Sequence, residues 1–104
     1  MKLFIDDERY PTYPVDKIAR SSQEAIYWLE ANGFPKFISF DHDLGMIEGK
    51  PDTVMPFIDW FIEEWLLNRL DIPKDFEYRV HSQNIVGARN IAGKMESFLK
   101  MVRG

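Results

Sequence analysis

Apolar and polar positions fall into blocks along this chain, and the blocks predict elements of two kinds. Lys2-Leu3-Phe4-Ile5 is a short apolar run that stops abruptly at acids, the mark of a buried strand. Two prolines make Tyr10–Pro14 a loop, and Val15–Arg20 reads as a second short strand anchored on Val15 and Ile18. Ser22 is placed to N-cap a helix that carries Ala25, Ile26 and Leu29 at helical spacing and ends at Asn32-Gly33. Lys36–Phe40 is a β-rich run leading into Asp41-His42-Asp43, and the glycines of Gly45–Pro51 predict a loop. A long helix then starts near Asp52 or Thr53 and runs to about Leu70, with Phe57, Ile58, Phe61, Ile62 and Trp65 on one face and Pro56 tolerated in the first turn. Trp60 and Leu67 widen that face, which suits deep burial against a sheet or a homodimer contact. Phe76–Val80 predicts another strand with a polar tail, His81-Ser82-Gln83-Asn84. The last helix runs from Val86 or Gly87 to Val102 with Ile91, Met95, Phe98 and Leu99 on its stripe.

The order is therefore β-β-α-β-α-β-α. Strands separated by helices of this length pair in parallel through right-handed crossovers. The fold class expected is α/β: a small three-layer, Rossmann-like domain with a parallel sheet of about four strands. At 104 residues the chain is one domain's worth, residues 1–104.

Composition narrows the function more than the fold. The net charge of −4 argues against tight binding to duplex DNA or long RNA, where affinity comes from many phosphate contacts, but leaves a small phosphorylated ligand open. No cysteine is present, so disulfides, thiolate zinc sites and a thiol nucleophile are excluded. No apolar run approaches the ~18 residues that span a bilayer, and the N-terminus is too acidic for a signal peptide, so a cytoplasmic protein without membrane attachment is expected.

The candidate chemistry lies where strands end. In an open parallel sheet the carboxyl ends of the strands share one edge, and ligands bind there. Asp6, Asp7, Asp41, His42, Asp43, His81 and Ser82 should then converge, and both histidines of the chain are in the set. Adjacent carboxylates such as Asp6 and Asp7 repel unless a cation compensates, which points to a hard divalent ion, Mg²⁺ or Mn²⁺. Alternation along an extended chain would turn Asp41 and Asp43 one way, to share that metal, and His42 the other, as acid or base. His81 follows a buried strand on the same edge. Ser82 and Asn84 stand before a helix N-terminus, where they either cap the helix or help hold an anion, and Gly87 allows a close approach. Arg9 is suited to phosphate oxygens or to a local ion pair.

Three segments, LFIDDER, FDHDLG and VHSQNIVGARNI, together resemble the cyclic-phosphate-processing receiver-like domain family, in the right order over nearly the whole chain. The resemblance implies a receiver-like architecture and a role in processing cyclic phosphates, either RNA ends or cyclic nucleotides, in RNA repair or in conflict between cells and phages or other invading elements. It implies that Asp6 and Asp7 are the acidic metal-binding pair, that Asp41 or Asp43 stands where a receiver carries its phosphoacceptor, and that Ser82 is the hydroxyl residue contacting the phosphoryl group. The chain departs from a receiver in lacking a fifth strand with its lysine and a helix between the first two strands, and in carrying two added histidines. Ile85 stands where the family pattern has proline.

The reading that follows is a metal-dependent phosphoesterase. Asp6, Asp7 and Asp43 are candidate metal ligands, His42, His81 and Asp41 catalytic groups, and Arg9, Ser82 and Asn84 phosphate holders. Two rivals use the same residues: a module that sequesters a cyclic nucleotide or RNA end uncleaved, and a degenerate receiver acting through protein contacts.

Overall fold

The computed structural model describes residues 1–104. Its elements are β1 (Lys2–Ile5), β2 (Lys17–Ala19), α1 (Ser22–Asn32), β3 (Phe37–Phe40), β4 (Asp43–Ile47), β5 (Lys50–Thr53), α2 (Met55–Leu66), β6 (Glu77–Val80) and α3 (Ile85–Arg103). Four strands form one parallel sheet in the order β2-β1-β3-β6, and β4 and β5 form a separate antiparallel hairpin. The α/β class, the parallel four-strand sheet and the three helices are as expected.

Register shows which side of the sheet each residue serves, because residues paired in parallel strands point the same way. Leu3, Ile38 and Tyr78 share one face, with Ile5, Phe40 and Val80 beside them. Leu3, Ile5, Ile38 and Phe40 are buried in a single cluster with Ala25 and Leu29 of α1, Phe57, Ile58 and Phe61 of α2, and Ile91, Met95 and Phe98 of α3. Phe61 and Trp65 of α2 both meet Phe98 of α3. The three helices thus pack on one face. The opposite face carries Lys2, Phe4, Phe37, Ser39, Glu77 and Arg79 and is covered only by loop side chains: Tyr13 lies edge-on to Phe4 and Phe37, and His81 stacks on Phe4. The second helical layer of a three-layer arrangement is absent. With no helix between β1 and β2, nothing is available to form it. Both crossovers, β2 to β3 and β3 to β6, run in the same direction along the sheet, so right-handedness puts α1 and α2 on the same side.

Local details also differ from the sequence reading. Ser21, not Ser22, is the N-cap of α1: its hydroxyl accepts from the Glu24 N–H at 3.1 Å, while Glu24 reaches back to the Arg20 N–H. Ser22 instead binds Asp52 of the hairpin through its N–H and its hydroxyl, at 3.0 and 2.7 Å. In β2 the fully buried residue is Ala19, with Ile18 half-buried; Val15, also half-buried, lies before the strand. Gly45–Pro51 is not a loop but most of the β4–β5 hairpin. Its tip places Glu48 and Gly49 at positive φ, a turn geometry that suits the right-handed twist of paired strands. The helix α2 begins at Met55 and ends at Leu66, four residues before the Leu70 expected, because the chain turns through Asn68 at positive φ.

Candidate active site

At the carboxyl edge of the sheet the polar residues separate into two groups, one on each side of the β3 exit. The first lies on the helix-free face, continuing the side of Phe4 and Ser39. Asp6 and Asp41, both buried, and His81 each bring one ligand atom within 4.8 Å of the others. His81 is held on three sides. Its Nε2 lies 3.0 Å from Asp6 Oδ2, its Nδ1 lies 2.7 Å from Ser39 Oγ, and its ring stacks on Phe4 at 4.6 Å. A carboxylate only accepts, so Nε2 carries a proton when Asp6 is ionised. The Ser39 hydroxyl can serve Nδ1 as donor or acceptor.

Asp6 is closely satisfied. Its Oδ1 accepts from the Glu8 and Arg9 N–H groups, both at 2.9 Å, and its Oδ2 also faces Arg9 Nε at 3.4 Å. Burial pushes its carboxyl up, but the Arg9 and Glu8 N–H groups and then His81 together hold it below the usual carboxylate range. Asp41 is shifted the other way. Burial raises it, the Ser82 hydroxyl opposes this, and the neighbouring Asp6 charge raises it further. The His42 N–H, 2.9 Å from Asp41 Oδ1, and after it the nearby His81 work against the rise more weakly. Two buried carboxylates are thus confined together, and the second bears the electrostatic cost.

The second group lies on the helical side. His42 turns away from Asp41 and sets its ring against the first turn of α3. A Cβ on Gly87 would come 2.4 Å from His42 Cγ, so only glycine leaves room for this ring. The close approach expected at Gly87 is made by His42. His42 Nδ1 lies 2.9 Å from Asp43 Oδ1, and Asp43 Oδ2 accepts from Asn84 Nδ2 at 3.1 Å. The His42 hydrogen bond, then the one from Asn84, lowers the Asp43 carboxyl against a small opposing effect of burial. An ionised Asp43 makes Nδ1 the protonated nitrogen and leaves Nε2 of neutral His42 as an unprotonated base, with no partner inside the protein.

The structure therefore brings Asp6, Asp41, His81 and Ser82 together, and sets His42, Asp43 and Asn84 beside them as a separate unit. Asp41 and Asp43 do not face one site as alternation had implied, because the chain leaves its extended path at His42, whose carbonyl accepts from the Val54 N–H at the base of the hairpin. Asp7 points its carboxylate at the hairpin, where a Cβ on Gly45 would lie 3.0 Å from Asp7 Oδ2. Asn84 is engaged within the protein: its Oδ1 caps α3 at the Gly87 N–H while its Nδ2 holds Asp43. Arg9, half-exposed, spans from Asp6 toward the His81 carbonyl.

Sequence reasoning missed Ser39, Phe4 and Arg20. The first two orient His81. Arg20 donates to the carbonyls of Asp6 and Arg9 at 3.0 and 2.7 Å and lies over the Tyr10 ring, fixing the loop that presents Asp6. A lone serine within Phe37-Ile38-Ser39-Phe40, two residues before Asp41, was the available signal for Ser39. A cleft of about 660 Å³ lies between the start of β6 and the C-terminal half of α3, at the opposite end of the strands, and includes none of these residues.

A family model described as the cyclic-phosphate processing receiver domain matches residues 1–97. No curated protein and no solved structure matches the chain.

Proposed function

The chain belongs to the cyclic-phosphate processing receiver domain family, and from that membership we propose that it opens a cyclic phosphate by hydrolysis, with the His42–Asp43 pair moving the proton. The observation that carries this reading is the unequal state of the two histidines. Both ring nitrogens of His81 are taken by Ser39 and Asp6, whereas His42 is oriented through Nδ1 and offers Nε2 outward. A base held by a carboxylate on one nitrogen and free on the other is the arrangement proton transfer requires.

In the reaction, water attacks phosphorus, one ring P–O bond breaks, and a linear phosphomonoester with a freed hydroxyl results. His42 Nε2 takes the proton from the attacking water and returns it to the departing oxygen. Asp43 steadies the imidazolium formed between these steps, and Asn84 holds Asp43. Ser82, Arg9 and the unpaired N–H groups of the first turn of α3 face the non-bridging oxygens. His81 has a positioning role: bound to Asp6 and Ser39, it forms a rigid wall of the site.

A divalent ion suits this donor set. Asp6 and Asp41 would hold it, with the His81 ring as the wall beside them, and the confinement of two buried carboxylates, with Asp41 pushed toward its neutral form, is what a cation would relieve. When bound, such an ion polarises a phosphoryl oxygen. In this reading Asp7 and Asp43 support the hairpin and His42 rather than complete this set.

The test is the pattern of variants. His42→Ala should lower turnover by roughly 10²–10⁴, and Asp43→Asn should lower it with substrate affinity largely kept. Turnover undiminished in His42→Ala would end this assignment. If ligand binds and no product forms under any condition, the chain sequesters its ligand instead.

A further inference from the structure

The helix-free face of the sheet continues from the active site toward the amino ends of the strands and opens there into a cleft of about 460 Å³, within the range of ligand sites. Tyr13 and Phe37 supply aromatic surface, and Lys2, Lys36 and Arg79 supply cations. The Lys2 ammonium lies 5.7 Å from the Tyr13 ring and 6.0 Å from that of Phe37. Lys36 pairs with Asp75, while Arg79, exposed, is in no ion pair. Asp75 and Glu77 also line the cleft, so three cations meet two carboxylates. The patch is thus mildly positive on a chain whose net charge is −4.

Aromatic rings and unpaired cations lining one cleft suit a ligand that is both planar and anionic. Single-stranded nucleic acid is bound on such faces, by bases stacked on aromatic or guanidinium planes and phosphates met by cations. Register puts the cleft and the active site on one track: Phe37, Ser39 and Asp41 succeed one another along the same side of β3. From Phe37 to Asp41 is four residues, ~13 Å at ~3.3 Å per residue, a separation that a short oligonucleotide spans and a single cyclic nucleotide does not.

We propose that this cleft is a second subsite, which binds the nucleotides preceding the cyclic phosphate, so that the substrate is a single-stranded RNA end. This rests on the ring-opening function proposed above and adds its substrate class.

The experiment compares a four-nucleotide oligouridylate ending in a 2′,3′-cyclic phosphate with uridine 2′,3′-cyclic phosphate, in the wild type and in Arg79→Ala and Lys2→Ala, both at exposed positions. Binding of the same tetranucleotide with an ordinary 3′-hydroxyl is measured alongside. The subsite predicts a kcat/KM for the oligonucleotide roughly tenfold or more above that for the mononucleotide, and collapse of that ratio in the variants. Equal values for the two substrates, or a ratio unchanged by both variants, overturns it. If neither substrate is opened, the ring-opening reading fails and the 3′-hydroxyl tetranucleotide decides the subsite: binding weakened by Arg79→Ala upholds it, and no binding removes it.

Discussion

At the residue scale, the site depends on which atom each side chain has left free. Gly87 is the sharpest case. Alanine there suits a helix better than glycine by about 1 kcal/mol, yet its methyl would occupy the His42 ring. Gly87→Ala is expected to fold with a native circular dichroism spectrum and to lose about 10²-fold in turnover, since a displacement of ~1 Å suffices for that. Activity close to wild type would show that the seat of His42 does not matter. Asp41 gives a second test, through its sign. Its folded pKa is raised, so the folded state holds its proton more tightly than the unfolded chain does. The resulting loss of stability begins as pH rises past the unfolded value of ~3.9 and is complete above the raised folded value. Asp41→Asn removes that charge while its amide can donate to Asp6. It is expected to raise the melting temperature at pH 7, with the gain shrinking toward pH 4, and to abolish turnover. A variant less stable at pH 7 would contradict the electrostatic account. Much of this scale was legible. Asp6, Asp41 and His81 each follow an apolar run and were read as converging. What sequence did not reveal is that His81 is enclosed and His42 open, since that depends on Ser39 and Phe4 beneath one ring and Gly87 beneath the other.

At the scale of elements, the hairpin is the part least legible in the sequence. Gly45, Gly49 and Pro51 look like punctuation between elements, and β4 keeps only Leu44 buried, so no alternating pattern marks the strands. The hairpin nonetheless has structural duties. It redirects the chain after Asp41, parting Asp43 from the buried carboxylates, and through Asp52 it satisfies the first turn of α1. Removing such a cap costs ~1 kcal/mol. Asp52→Ala is therefore expected to lower the melting temperature by about 4–8 °C. No change in a thermal melt would mean that the hairpin and α1 are energetically independent. The helices were easier, because α2 and α3 carry long stripes whose core members, Phe57, Ile58, Phe61, Ile91, Met95 and Phe98, are buried as their spacing implied.

At the scale of the whole molecule, one sheet separates two kinds of surface. All three helices bury one face, and the other carries the Asp6–Asp41–His81 group at one end and the aromatic, cationic cleft at the other. The layer count could not be read from element order alone. It depends on strand order, and β2-β1-β3-β6 sends both helical crossovers the same way. No helix is long and apolar enough to cross a membrane.

The most direct test of the central claim is product analysis. Purified protein is incubated with RNA ending in a 2′,3′-cyclic phosphate, and with 2′,3′- and 3′,5′-cyclic nucleotides, in Mg²⁺, Mn²⁺ or EDTA, and the phosphorus species are resolved by ³¹P NMR. Conversion of a cyclic phosphate to a linear monoester is expected, suppressed by EDTA and absent in Asp41→Asn. A spectrum in which every ring stays closed with either metal would contradict it.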